Sequence, residues 1–128
     1  PNLMKAGLSG AEFSLYGTNH PTPDGTAVRD YVYVMDLAAA HVKALDVLRA
    51  RDRLISNVGR GRGTSVRELL EIVRRNVKAE LNVVEKPIRP GDPPELVADN
   101  TYLKTWFDHE FKSTADVVKE LAGTSRAR

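Results

Sequence analysis

Between Pro21 and Leu37 the chain specifies more local structure than anywhere else along its length. Pro23-Asp24-Gly25 is a tight-turn signal, because proline presets φ and glycine accepts positive φ. Arg29 and Asp30 then stand at the mouth of a strand-like run, Arg29–Val34, in which Val32 and Val34 flank Tyr33. Asp36 falls where a helix N-cap belongs. A turn, an arginine, a strand and a capped helix in such quick succession are the opening of an alternating α/β chain.

The rest of the sequence continues that alternation. Gly7 and Gly10 argue against much helix over Lys5–Phe13, and Phe13–Tyr16 reads as a short strand closed by Gly17. After the polar loop at 17–27, a helix is predicted from Asp36 to Arg49, with Leu37, His41, Ala44, Leu45 and Leu48 on its apolar face. Arg53–Val58 reads as a second strand. Ser65 with Glu68 three residues on is the capping-box spacing, and Val66, Leu69, Leu70, Val73 and Val77 form the stripe of the helix it opens. Leu81–Glu85 is strand-like, and Pro87–Pro94 is a loop punctuated by proline. Leu96–Ala98 reads as a short strand, and Asp99 or Asn100 caps a short helix through Trp106. Ser113 with Asp116 opens a last helix whose stripe is Thr114, Val117, Val118 and Leu121. Strand, helix, strand, helix, strand is the α/β class in one domain.

Composition narrows function mainly by exclusion. Net charge is +2, and no basic tract interleaves with aromatics, which argues against nucleic acid. There is no cysteine, hence no thiolate metal site or thiol nucleophile. No apolar run approaches the roughly 18 residues of a membrane span. The chain begins with proline, which suggests a processed or partial polypeptide.

Gly59-Arg60-Gly61-Arg62-Gly63 follows a strand and precedes a helix, but its third glycine comes one residue early for a dinucleotide fingerprint. It reads as a structural glycine turn. His41 reads as a packed core-edge residue, and none of His20, His41 and His109 has metal-ligand spacing. No nucleophile elbow or acid–base pair is visible. Single arginines in turns suit small anions. Arg29 offers a planar fork to phosphate, or pairs with Asp30 or Asp36. In the rigid Arg89-Pro90-Gly91-Asp92-Pro93 turn, Arg89 could take a phosphate and Asp92 a sugar hydroxyl, or the two could pair locally.

Two long motifs carry a resemblance. His20-Pro21-Thr22-Pro23-Asp24-Gly25-Thr26 with Val28-Arg29-Asp30-Tyr31-Val32 and Asp36-Leu37 is the first. Asn57-Val58-Gly59, Ser65-Val66-Arg67-Glu68, Arg89-Pro90-Gly91-Asp92-Pro93 and Ala98-Asp99 make the second. Together they resemble the UDP-glucose 4-epimerase family of extended short-chain dehydrogenases/reductases. The resemblance implies the carboxy-terminal part of an NAD(P)-binding Rossmann-type fold without its amino-terminal nucleotide motif, with residues 1–122 as a UDP-sugar-binding portion and 123–128 as a frayed tail.

It further implies Arg29 and Arg89 on the UDP diphosphate, Asp92 on the uridine ribose, Ser14, Leu15 and Tyr16 along the uracil, and Asn2 reaching the nucleotide. The family moves a hydride from sugar C4 to bound NAD and returns it to the other face of the 4-keto sugar. No tyrosine here is followed by lysine four residues on, so the family's catalytic Tyr-x-x-x-Lys pair is absent. NAD is therefore implied for the intact family enzyme and not as a tight ligand of this chain alone. Implied partners are a UDP-sugar and either self-association or a missing amino-terminal nucleotide-binding domain, with no nucleic acid and no membrane, in the cytoplasm. Alternatives are another nucleotide-sugar epimerase or dehydratase, and a non-catalytic remnant or interaction module.

Overall fold

The computed structural model of the protein describes residues 2–77 and 80–125. Helix α1 (Asn2–Ser9) leads into strand β1 (Glu12–Tyr16), and after a long loop come β2 (Val28–Arg29) and helix α2 (Val34–Leu48). Strand β3 (Thr64–Ser65), helix α3 (Val66–Val77), strand β4 (Asn82–Lys86) and strand β5 (Glu95–Leu96) follow, then a 3₁₀ turn at Leu103–Thr105 and helix α4 (Thr114–Ser125). β1 pairs parallel with β4, Glu12 opposite Asn82 through Tyr16 opposite Lys86. β2 lies between β3, antiparallel, and β5, parallel. The mixed α/β class is as expected.

The larger core lies where α1, α3 and α4 meet β1, and is built from Leu3, Leu15, Leu70, Val73, Val77, Val118 and Ala122. The α3 stripe is the one the sequence marks, with Val66 and Leu69 packed at its margin. Helix α1 forms despite its glycine. A Cβ on Gly7 would stand 3.2 Å from Val73 Cγ1, so glycine lets α1 lie close against α3. Gly10 ends the helix region in the left-handed conformation, φ +69. On α4 the buried line is Thr114, Val118 and Ala122, whereas Leu121, expected on the stripe, is exposed. The frayed tail was expected from Gly123; α4 continues to Ser125, and 126–128 lie outside the described residues.

Four expectations around α2 are corrected. The strand stops at Arg29, because the Asp30 carboxylate turns to the Gly59–Gly63 loop, where it accepts from the backbone N–H of Arg60 (3.1 Å) and Gly61 (2.9 Å). The helix begins at Val34 with Tyr33 as its N-cap residue, so Asp36 is not the cap. Asp36 sits in the first turn, 7% exposed, where it accepts from His109 Nε2 (2.9 Å) and the Lys112 backbone N–H (2.9 Å). The face that meets the rest of the chain is therefore Asp36, Ala40, Ala44 and Val47. Of the predicted face only Ala44 is turned inward: Leu37, Leu45 and Leu48 are exposed, and so is His41, whose Nδ1 lies 2.8 Å from the Leu37 carbonyl. The segment 53–58, expected as a strand, forms no ladder, and Ile55 is exposed. A small second core of Ala40, Leu103 and Phe107 lies under α2.

Candidate functional site

The Pro-Asp-Gly loop proves to be a clamp on the start of α3. Asp24 Oδ1 accepts from the Thr26 backbone N–H (2.9 Å) and hydroxyl (2.7 Å), and the Ser65 hydroxyl donates to Asp24 Oδ2. Ser65 Oγ and Thr26 Oγ1 in turn accept from the first free N–H groups of the helix, those of Glu68 (3.0 Å) and Arg67 (3.1 Å). Partial burial pushes the Asp24 carboxyl up, but the Ser65 and Thr26 hydrogen bonds outweigh it and hold the acid below its usual range. The clamp fixes where β2 starts, and so where Arg29 points.

Arg29 is gathered by bonds that cross the chain. Its Nη2 donates to Asp92 Oδ1 (2.5 Å) and the Pro93 carbonyl (2.9 Å), and its Nη1 to the Val28 carbonyl (2.7 Å). The β2–β5 pairing makes this possible: the Val28 N–H donates to the Pro94 carbonyl (2.8 Å) and draws the proline turn alongside. Of the alternatives open for Arg29, neither Asp30 nor Asp36 is its partner. Arg89 does not pair with Asp92 either. Its guanidinium carbon lies 3.7 Å from the centre of the Tyr16 ring, a cation–π contact of ~0.5–1 kcal/mol at an exposed site.

Arg29, Arg89, Asp92, Ser14, Tyr16 and Asn2 line one groove of about 560 Å³. Six of the seven expected residues thus meet. Leu15 does not: strand side chains alternate, and Leu15 turns into the main core at 2% exposure. The same alternation puts Glu12 on the groove side with Ser14 and Tyr16, a signal from which Glu12 was recoverable. Phe13, Ala27 and Val66 also line the groove, with no chemical signature to announce them. Two arginines face two carboxylates, Asp92 and Glu12. With Asp92 on one Nη of Arg29, Arg89 is the cation without a carboxylate among the described residues.

The loop 59–63 is a structural turn, as expected. Its Arg60 and Gly61 N–H groups serve the chain's own Asp30, and a Cβ on Gly59 would come within 2.6 Å of Asp30 Oδ2. With those two amides taken, the turn does not present the full set of backbone donors that a dinucleotide fingerprint offers to phosphate. Among the described residues there is no group of His, Asp and Glu placed to hold a metal, and no helix long and apolar enough to cross a membrane.

The NAD dependent epimerase/dehydratase family matches residues 1–59. The UDP-glucose 4-epimerase of Rhizobium meliloti (strain 1021) is 42% identical over 102 residues, which are 78% of this chain and 31% of that protein. The UDP-glucose 4-epimerase of Brucella ovis, solved in complex with NAD, superposes with a TM-score of 0.86 at 36% identity, over 98% of this chain and 39% of its own. That of Bifidobacterium longum, solved with NAD+ and UDP, superposes with a TM-score of 0.83 at 29% identity, over 97% and 38%. The chain thus spans about a quarter to a third of the length of the curated relatives it matches.

The fold is that of the extended short-chain dehydrogenases/reductases. Within that class the chain is similar to the UDP-glucose 4-epimerases, and its share of their length fits a portion of such an enzyme.

Proposed function

We propose that the chain is the UDP-sugar-binding portion of an NAD-dependent UDP-glucose/UDP-galactose 4-epimerase of the cytoplasm, catalytically incomplete by itself. The observation that carries the reading is the convergence of Arg29, Arg89 and Asp92 on one groove with the β1 edge. Its volume lies within the roughly 300–1,000 Å³ usual for small-molecule sites. Arg29 keeps its Nε–H and one remaining Nη1 N–H for a diphosphate oxygen while Asp92 steadies the fork. Arg89 joins it from the proline turn, carried on Tyr16. The outer Asp92 oxygen can accept a ribose hydroxyl, and Ser14, Tyr16 and Asn2 border the space for a flat base. Leu15 contributes through the strand backbone and the core behind it. Hydride chemistry is the cofactor's when NAD is bound in the intact enzyme; this chain's residues hold and orient the nucleotide.

Isothermal titration with UDP tests the site. Each of Arg29→Ala and Arg89→Ala removes charged hydrogen bonds worth ~1.5–3 kcal/mol, a weakening of about tenfold or more. Unchanged affinity in both variants sinks the reading. With NAD and UDP-galactose added, no turnover is expected from the chain alone.

A second reading concerns partners, and the outward face of α2 favours it. Val34, Met35, Val42 and Leu45 are each more than half exposed, as is Ile55 beside the unpaired 53–58 segment. An apolar helix face of that extent suits either a nucleotide-binding domain or a second copy of the chain. Light scattering should show association that Val42→Glu with Leu45→Glu abolishes; a monodisperse parent chain counts against it.

A further inference from the structure

A second cavity, of about 210 Å³, opens on the far side of the Gly59–Gly63 loop. Its lining is cationic and carries no carboxylate: Arg60, Arg62 and Lys104 stand around it, over His109, Phe107 and the Asn100 amide. Elsewhere the chain pairs cations with nearby acids, as in Arg74 with Glu71 and Arg49 with Asp46. Here Arg62 and Lys104 have no side-chain hydrogen bond or ion pair among the described residues. The anions nearby are otherwise placed: Asp30 is taken up by the loop amides, Asp36 by His109 Nε2 and the Lys112 N–H, and Asp99, whose charge interacts with that of Lys104, is not part of the lining.

The cavity is also held in shape. Arg60 Nη1 donates to the buried Thr114 hydroxyl (2.5 Å), which fixes the guanidinium at the rim. The loop backbone is pinned from beneath by Asp30. Asn100, 7% exposed, donates to the Gly59 carbonyl (3.2 Å) and packs so closely that a Cβ on Gly61 would lie 2.8 Å from its amide. The Phe107 and His109 rings stack at 4.8 Å and close one wall. Three cations around a cavity whose own lining holds no carboxylate favour the recruitment of an anion, and guanidinium forks with an ammonium are the donors that suit phosphate oxygens.

We propose that this cavity is a second anion site, separate from the UDP groove, which takes a phosphate or diphosphate group. The Gly-Arg-Gly-Arg-Gly loop would then meet phosphate with its arginine side chains, the Arg60 and Gly61 amides being committed to Asp30. The proposal does not depend on the groove binding UDP.

Inorganic diphosphate is the probe, followed by ¹H–¹⁵N correlation spectra of the whole chain. Saturable shifts are expected at the backbone amides of Arg60–Gly63 and Lys104. Arg62→Ala with Lys104→Ala, both at exposed positions, should weaken that set by about tenfold or more, given the usual worth of charged hydrogen bonds. The same variant should leave untouched any shifts at Ser14–Tyr16 and Arg89, and Arg29→Ala with Arg89→Ala should do the reverse. Loop amides that do not move, or that move equally in the Arg62/Lys104 variant, overturn the second site. A circular dichroism spectrum matching the parent confirms that the variant is folded.

Discussion

Asp30 is the residue on which most of the chain's separate parts hang, and its replacement gives a sharp test. The carboxylate joins the end of β2 to the Gly59–Gly63 loop through Arg60 and Gly61, and reaches the Ala98 N–H beyond β5 at 3.4 Å. Asp30→Ala removes the acceptor for two well-formed bonds and one long one. A buried donor left unsatisfied costs ~1–3 kcal/mol. The site is half-buried and water can reach part of it, so the two short bonds together should cost about 3 kcal/mol. With an unfolding entropy of ~2.1 cal/mol/K per residue, that lowers Tm by about 10 °C for a chain of this length. Asp30→Asn keeps the side-chain volume but turns an amide N–H toward a backbone N–H, so it should recover less than half the loss. Urea titration followed by circular dichroism at 222 nm measures both variants. If Asp30→Ala lies within about 0.5 kcal/mol of the parent, the loop is held by something other than this carboxylate.

Two further outcomes follow from the same structure. Asp24 has its folded-state pKa depressed, so it contributes stability that is present above the unfolded carboxyl value and lost as pH falls through the lower folded one. The parent should lose stability on acidification below about pH 4, and Asp24→Asn should flatten that part of the curve; an unchanged acid limb in urea titrations at stepped pH would contradict the clamp. Leu15→Ala should cost ~2–5 kcal/mol in urea as a core deletion, with UDP affinity unaltered under conditions where the variant is folded. A selective loss of affinity at full stability would return the Leu15 side chain to the groove.

What the sequence made legible was governed by range. Helix α3 declared both its boundary and its buried face, because the Ser65 cap and the apolar stripe are local and its partners α1 and α4 lie within this chain. Helix α2 declared its extent but misled about its face: periodicity tells which residues share a side, not which side meets this chain's own core. Helix α1 was hidden by Gly7, whose helix penalty is outweighed by close approach to Val73. At the groove, residue types and rigid turns marked Arg29, Arg89 and Asp92, but not that Asp92 is the partner of Arg29. That pair spans 63 positions and exists only because β2 and β5 lie side by side. The parity that sends Leu15 inward and Glu12 outward was available from the strand alone.

The seating of Asp36 has a consequence for how such chains can be recombined. Helix α2 is fastened to the stretch before α4 through one carboxylate, which serves both the His109 ring and the Lys112 N–H. Neither end of that fastening works without the other, so the two segments form a unit of exchange although more than seventy positions separate them. A graft that brings α2 from a relative without residues 109–112, or the reverse, would strand a buried charge. Breakpoints placed outside both segments would carry the joint across whole.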